Sequence, residues 1–234
     1  MTTRSAKSKS ASIRGKPENW RERVAAKLDG NLKLAYLIQA VTGCRNQEMV
    51  NGVNVVLLHN GMLEFSIVCA KVRNVLGQEI RSYKVPAGAG GVSAMLAKML
   101  SVGLPLNTTD LLVGEDRDKV KDAYRKAVAR LSQEVFVPRK GTQGLSAYSL
   151  RHQMKRDASK SLSREDLAKA MGHTSTRSAC AYGNGGRVGS GAVTPLDVKA
   201  TRPVKQRESI HLAHKKAAAP ESGAVTRRAR KNKP

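Results

Sequence analysis

Large aromatic side chains are scarce in this chain of 234 residues, which holds one tryptophan, five tyrosines and two phenylalanines. The core must therefore be assembled from Leu, Val, Ile, Ala and Met. Single-strand binding on a platform of stacked rings is disfavoured, because that mode needs several exposed aromatics. Acidic residues are few as well: 18 Asp and Glu stand against 42 Lys and Arg, a formal charge of +24. An acidic polymer is the default partner of such a chain. Cys44, Cys69 and Cys180 are an odd number with no CxxC pair and no histidine at ligand spacing. They read as buried thiols in a reducing compartment, not as disulfides or a zinc site. No run of about 18 apolar residues occurs, as a membrane span would require. The basic first residues are not followed by the apolar stretch of a secretory signal, so a cytoplasmic protein without membrane partners is expected. There is no glycine-rich phosphate loop before Lys-Ser/Thr, no HExxH and no paired acidic cluster, so neither a metal nor a nucleotide is expected as cofactor.

The positive charge is uneven. Residues 1–16 carry five basic and no acidic side chains, residues 17–182 carry 25 and 15, and residues 183–234 carry 12 and 3. Three regions are expected from this and from composition: a disordered basic arm over 1–18, one folded domain over 19–183, and a glycine-rich linker with a basic tail over 184–234. Within the domain, apolar residues recur at helical spacing from about Asn19 to Val41, with Gly30 and Asn31 dividing two helices. Gly43 suits a left-handed cap. Three β-rich segments follow, Val53–Leu58, Leu63–Val68 and Ile80–Val85, with the turn signal His59-Asn60-Gly61 between the first two. Helical periodicity returns at roughly 92–102, 115–133, 147–160, 163–171 and 174–181, and residues 204–219 read as one basic helix. Ser163, three residues before Asp166, is a helix-start signal. The fold class is a mainly helical α+β domain with a small three-stranded antiparallel sheet.

Four pieces carry the functional signal: Thr42-Gly43-Cys44-Arg45-Asn46-Gln47-Glu48, then Tyr148-Ser149-Leu150-Arg151-His152, then Gly172-His173, then Tyr182. The spacings are 22 residues from Arg151 to His173 and nine from His173 to Tyr182. In order and spacing these pieces resemble the catalytic domain of the tyrosine recombinases, the phage-integrase family, over about residues 20–182. The resemblance implies the tyrosine recombinase catalytic-domain fold. It also implies a DNA strand-transferase, a site-specific recombinase or integrase of a mobile genetic element, working on double-stranded DNA as a homo-oligomer, commonly a tetramer.

The resemblance also implies roles. Arg45 and Arg151 hold the scissile phosphate, a task that suits arginine because its planar fork is always charged and donates two parallel bonds. His173 donates a further hydrogen bond, Tyr182 is the nucleophile, and Lys71 matches the hairpin lysine that protonates the leaving 5′ oxygen. Lys84 precedes Val85-Pro86, where the family usually carries a basic residue, and is expected to contact phosphate. Arg73, Arg139, Lys140 and Arg177 are further candidates for DNA contact. Tyr148 departs from the family pattern, which has histidine three residues before the second arginine. A tyrosine hydroxyl can donate to phosphate but cannot act as a base near neutral pH as imidazole can. The family usually places a helical core-binding domain before the catalytic one, and here about 18 residues precede the first expected helix, so a catalytic-domain-only protein, a fragment and a member that relies on its basic arms all stay open. Two alternatives stay open: a catalytically impaired DNA-binding protein that keeps this fold, and a related tyrosine enzyme, a type IB topoisomerase or a telomere resolvase.

Overall fold

Trp20, Val24 and Leu28, with the run from Ala35 to Thr42, bury one continuous stripe and so draw the first two helices into the middle of the molecule. A computed structural model describes residues 9–74, 76–88, 90–138, 144–177 and 193–206. In chain order its helices are α1 (Trp20–Ala25), α2 (Gly30–Thr42), α3 (Asn46–Asn51), α4 (Gly91–Ala97), α5 (Thr108–Leu111), α6 (Arg117–Val135), α7 (Ala147–Ala158) and α8 (Arg164–Ala170). The strands are β1 (Val53–Leu57), β2 (Met62–Val68), β3 (Ile80–Pro86), β4 (Pro105–Asn107) and β5 (Leu196–Ala200). The class is α+β. Among the described residues no helix is long and apolar enough to cross a membrane.

The sheet has five antiparallel strands in the order β4-β1-β2-β3-β5, not the three expected. The central three strands match the segments read from the sequence to within a residue or so. Strand β4 is three residues long, begins at a proline and lies on an edge, where a missing ladder donor is tolerated; no alternation can be read from so short a piece. Strand β5 lies in the region expected to be linker and tail, and pairs with β3 through Arg81↔Ala200, Ser82↔Lys199 and Lys84↔Leu196. Its strand Leu-Asp-Val-Lys-Ala is mostly exposed, so its alternation carries little signal. Residues 204–206, placed in a basic helix by the sequence reading, instead bridge the turn after α8: Lys205 N donates to Thr174 O at 2.9 Å.

The N-terminal arm also differs from expectation over its second half. Residues 9–13 form a 3₁₀ turn, Ile13 enters the core, and the buried hydroxyls of Ser12 and Ser149 lie 2.8 Å apart. Ile13 and a hydrogen bond to a residue 137 positions away help to dock this turn on α7, contacts that leave the low hydrophobicity of the stretch as a whole unchanged.

Polar links fix how these helices sit. Tyr124 of α6 donates to Gln39 Oε1 of α2 at 2.7 Å, and Gln39 Nε2 donates to Cys44 O and to Asn46 Oδ1, both at 2.9 Å. Tyr83 of β3 donates to Thr42 O at 2.9 Å, tying the sheet to the end of α2. Arg21 of α1 and Asp157 of α7 form an ion pair at 2.7 Å with both side chains wholly buried. Asp157→Asn should therefore destabilise the domain by about 3–5 kcal/mol, because it leaves a buried guanidinium without its counter-charge. Urea unfolding measures this; a loss below about 1 kcal/mol would place the pair outside the core network.

Candidate functional site

The first motif is shaped by the end of α2. Gly43 is left-handed, at φ +61°, and a β-carbon there would stand 2.9 Å from Met154 Cβ, so glycine alone allows α7 to approach this closely. The chain re-enters a helix at Arg45, the extended residue before α3. Glu48, on the first turn of α3, reaches back to it: Oε2 accepts from Arg45 N at 2.8 Å and Oε1 from Arg45 Nη1 at 2.6 Å. Arg45 keeps its side chain 14 % exposed, whereas Glu48 is sealed.

Three arginines surround that carboxylate. Besides Arg45, Arg81 Nη2 donates to Glu48 Oε2 at 2.9 Å, and Arg151 Nη1 lies 3.9 Å from the same oxygen. Arg81 and Arg151 are both fully buried. Burial alone would raise the Glu48 carboxyl, but the charges of Arg81 and Arg151, the Arg81 hydrogen bond and Arg45 outweigh it and hold the group well below the usual carboxylate range. The nearby thiols add no negative charge: burial outweighs Arg81 and pushes Cys44 up to about 12, and Cys69 shifts the same way. Among the described residues the cluster is thus three permanent positive charges around one negative. One pair would neutralise Glu48; the excess favours an anion at the open side, where Arg45 lies.

Arg151 is placed beneath Arg45. Its Nη1 donates to Gly43 O at 2.8 Å and its Nη2 to Met171 O at 2.5 Å, so it also clamps the end of α2 to the end of α8. His173 is delivered to the cluster by a Schellman turn. Gly172 is left-handed at φ +70°, Gly172 N donates to Lys169 O and His173 N to Ala168 O, at 2.9 and 2.8 Å. Ser163 caps the start of α8 by accepting from Asp166 N at 3.0 Å, as its sequence suggests. Burial, then the charges of Arg151, Arg45 and Arg81, lower His173 to about 3, so its imidazole is neutral at ordinary pH and offers an N–H without charge.

The structure therefore brings Arg45, Arg151 and His173 together. The remaining candidates lie further out. Lys71 and Arg73 are exposed on the β2–β3 connector; the amide before Lys71, Ala70 N, points at Glu48 Oε1 from 3.5 Å. Lys84, expected to contact phosphate, lies 3.3 Å from Asp197 of β5, with its side chain about one-third exposed. Arg177 is exposed just past the His173 turn. Tyr148 is 36 % exposed, packs its ring edge-on against His152 at 5.2 Å between centroids, and lines a cleft of about 340 Å³ with Asn46, Arg125, Gln133 and Ser146. Arg139, Lys140 and Tyr182 lie outside the described residues. Among the described residues no group of three or more His, Cys, Asp or Glu side chains could hold a metal ion.

Arg81 was not singled out from the sequence. Its signal is parity: the inward face of β3 is Arg81, Tyr83 and Val85, while Ile80 points outward and is exposed. An arginine in phase with a tyrosine and a valine must be buried and therefore paired. No family model, curated protein or solved structure matches the chain.

The shifts of His173, His152 and Glu48 set an acid-sensitivity with a definite sign. His173 binds its proton far less readily in the native state than unfolded, and burial with the Arg156, Arg151 and Lys155 charges lowers His152 to about 4. Stability should fall as pH drops below about 6.5, and Glu48 should add to the fall below about 4.5. His173→Gln should flatten the limb between these values. Glu48→Gln should lower stability at neutral pH and flatten the limb below. Equilibrium unfolding against pH measures both; an unchanged slope in His173→Gln would mean that the imidazole is not held neutral.

Proposed function

We propose that this chain is the catalytic domain of a tyrosine recombinase, cutting and rejoining duplex DNA at a specific site through a 3′-phosphotyrosine intermediate. The observation that carries this reading is the convergence of Arg45, Arg151 and His173 on one arginine-rich cluster that opens at Arg45. These residues come from three separate motifs whose order and spacing resemble that family, and the chain carries a formal charge of +24.

In this reading the phenol oxygen of Tyr182 attacks the scissile phosphorus. The Tyr–O–P bond forms as the P–O5′ bond breaks, the phenol passes its proton to solvent water, and the departing 5′ oxygen takes one from the Lys71 ammonium, which solvent later reprotonates. A phenol with an ordinary pKa near 10 needs cationic surroundings to react at neutral pH. Charge growing on the non-bridging oxygens is met by Arg45 and by the neutral N–H of His173, with Arg151 and Arg81 adding fixed positive charge from beneath. Attack by a new 5′-hydroxyl reverses the step and rejoins the strand, so the phosphotyrosine stores the bond and no nucleotide is consumed. The other partners implied are further copies of the chain assembled on DNA.

A second reading is favoured by one residue. Tyr148 stands where the family has histidine, which suits a DNA-binding protein of the same fold with impaired turnover. A nicked duplex that traps the covalent complex separates the two. Wild type should give an adduct that survives denaturing electrophoresis, Tyr182→Phe should abolish it with duplex affinity nearly intact, and Arg45→Ala should slow it by about 10² or more, the value of one preorganised donor. An adduct that persists in Tyr182→Phe places the nucleophile elsewhere; no adduct with wild type favours the binding protein.

A further inference from the structure

Arg81 reaches several separate parts of the candidate site, although its guanidinium is wholly buried. Its Nη2 donates to Glu48 Oε2 at 2.9 Å, and Glu48 holds both the amide and the guanidinium of Arg45. Its Nη1 donates to Cys69 Sγ at 2.9 Å, two residues before Lys71. Nη2 also faces Cys44 Sγ, the neighbour of Arg45, at 3.6 Å. The turn that delivers His173 rests on the same group: a β-carbon on Gly172 would stand 2.9 Å from Arg81 Nη1 and 3.4 Å from Cys69 Sγ. Three segments far apart in sequence thus meet on one planar fork.

We propose that Arg81 is a positioning residue for strand cleavage, the common rest that sets the start of α3 with Arg45, the β2–β3 connector with Lys71, and the Gly172-His173 turn in register. This inference rests on the reading of the chain as a DNA strand-transferase. Neutralising Glu48 does not by itself require Arg81, because Arg45 lies 2.6 Å from that carboxylate and Arg151 3.9 Å. What Arg81 adds is reach towards Cys69 and Gly172. A lysine could keep the charge opposite Glu48, but a single ammonium on a flexible stem cannot hold both sides of a fork in a fixed plane. Since Arg81 is sealed from solvent, it acts through the residues it holds. Its loss should be read in the rate of attachment, not in DNA affinity.

The test uses the full chain, a nicked duplex that traps the adduct, and three variants: Arg81→Lys, Cys69→Ala and Cys69→Ser. Thermal unfolding and duplex affinity are measured beside the single-turnover rate of attachment. Arg81→Lys and Cys69→Ala should stay folded, bind duplex within about 2-fold of wild type, and attach about 10-fold or more slowly, since misplacement by about 1 Å can cost up to about 10² in rate. Cys69→Ser keeps an acceptor for Nη1 and should recover most of the rate. Wild-type rates in Arg81→Lys and Cys69→Ala would overturn the inference, as would an affinity loss that accounts for the slowing. So would an Arg81→Lys chain that does not fold beside a folded Cys69→Ala of wild-type rate, because that assigns Arg81 to stability alone. No adduct with wild-type protein would instead remove the strand-transfer reading, and the inference with it, and this outcome is visible before any variant is compared.

Discussion

The carboxylate of Glu48 is the point on which the rest of the site hangs. Burying it without partners would cost several kcal/mol, and one well-placed arginine would offset that. The chain instead supplies Arg45, Arg81 and Arg151, each from a different element, so the same carboxylate ties α3, β3 and α7 together. Because two of the three arginines are sealed inside, their charge is fixed in place and little screened by solvent. The one that opens outward, Arg45, is held at both backbone and side chain. Such an arrangement accepts an anion with little rearrangement, the property required of a group that must stabilise a charge that exists only in passing.

Glycines do much of the positioning. Gly43 lets α7 come within backbone distance of the end of α2, which puts the carbonyl of Gly43 where Arg151 can bind it. Gly172 reverses the chain after α8 and presses the His173 turn against Arg81. Both precede a motif residue by one or two positions, and both take a backbone conformation that side-chain-bearing residues rarely adopt. The glycines of the motifs are therefore part of the geometry of the site, and not spacers.

Much of this was legible in the sequence, and the exceptions have physical reasons. The three central strands show clean alternation, the long helices show clear periodicity, and the Ser163 cap and the left-handed Gly43 carry local chemistry that does not depend on distant contacts. Arg45, Arg151 and His173 could be picked from motif spacing. What escaped depends on long-range packing: β4 is too short to alternate, β5 is exposed and preceded by glycine-rich sequence, and the 3₁₀ turn at residues 9–13 docks through Ile13 and Ser12 in an otherwise polar stretch. Arg81 escaped because charge was read as surface. Asp197, the acidic neighbour of Lys84, escaped with the strand that carries it.

These packed segments also change the meaning of the basic termini. Part of the positive charge at each end belongs to the fold: Lys16 Nζ lies 5.3 Å over the Phe136 ring, and Arg202 donates to Asn74 O and pairs with Glu79. The central claim, that an arginine cluster here serves a tyrosine nucleophile, is tested most directly by mass spectrometry of the protein after incubation with a nicked duplex and digestion of both components. The account predicts one peptide, containing Tyr182, with a nucleotide joined to the phenol oxygen through its 3′ phosphate. A modified peptide from any other residue, a 5′ linkage, or no modified peptide at all would contradict it.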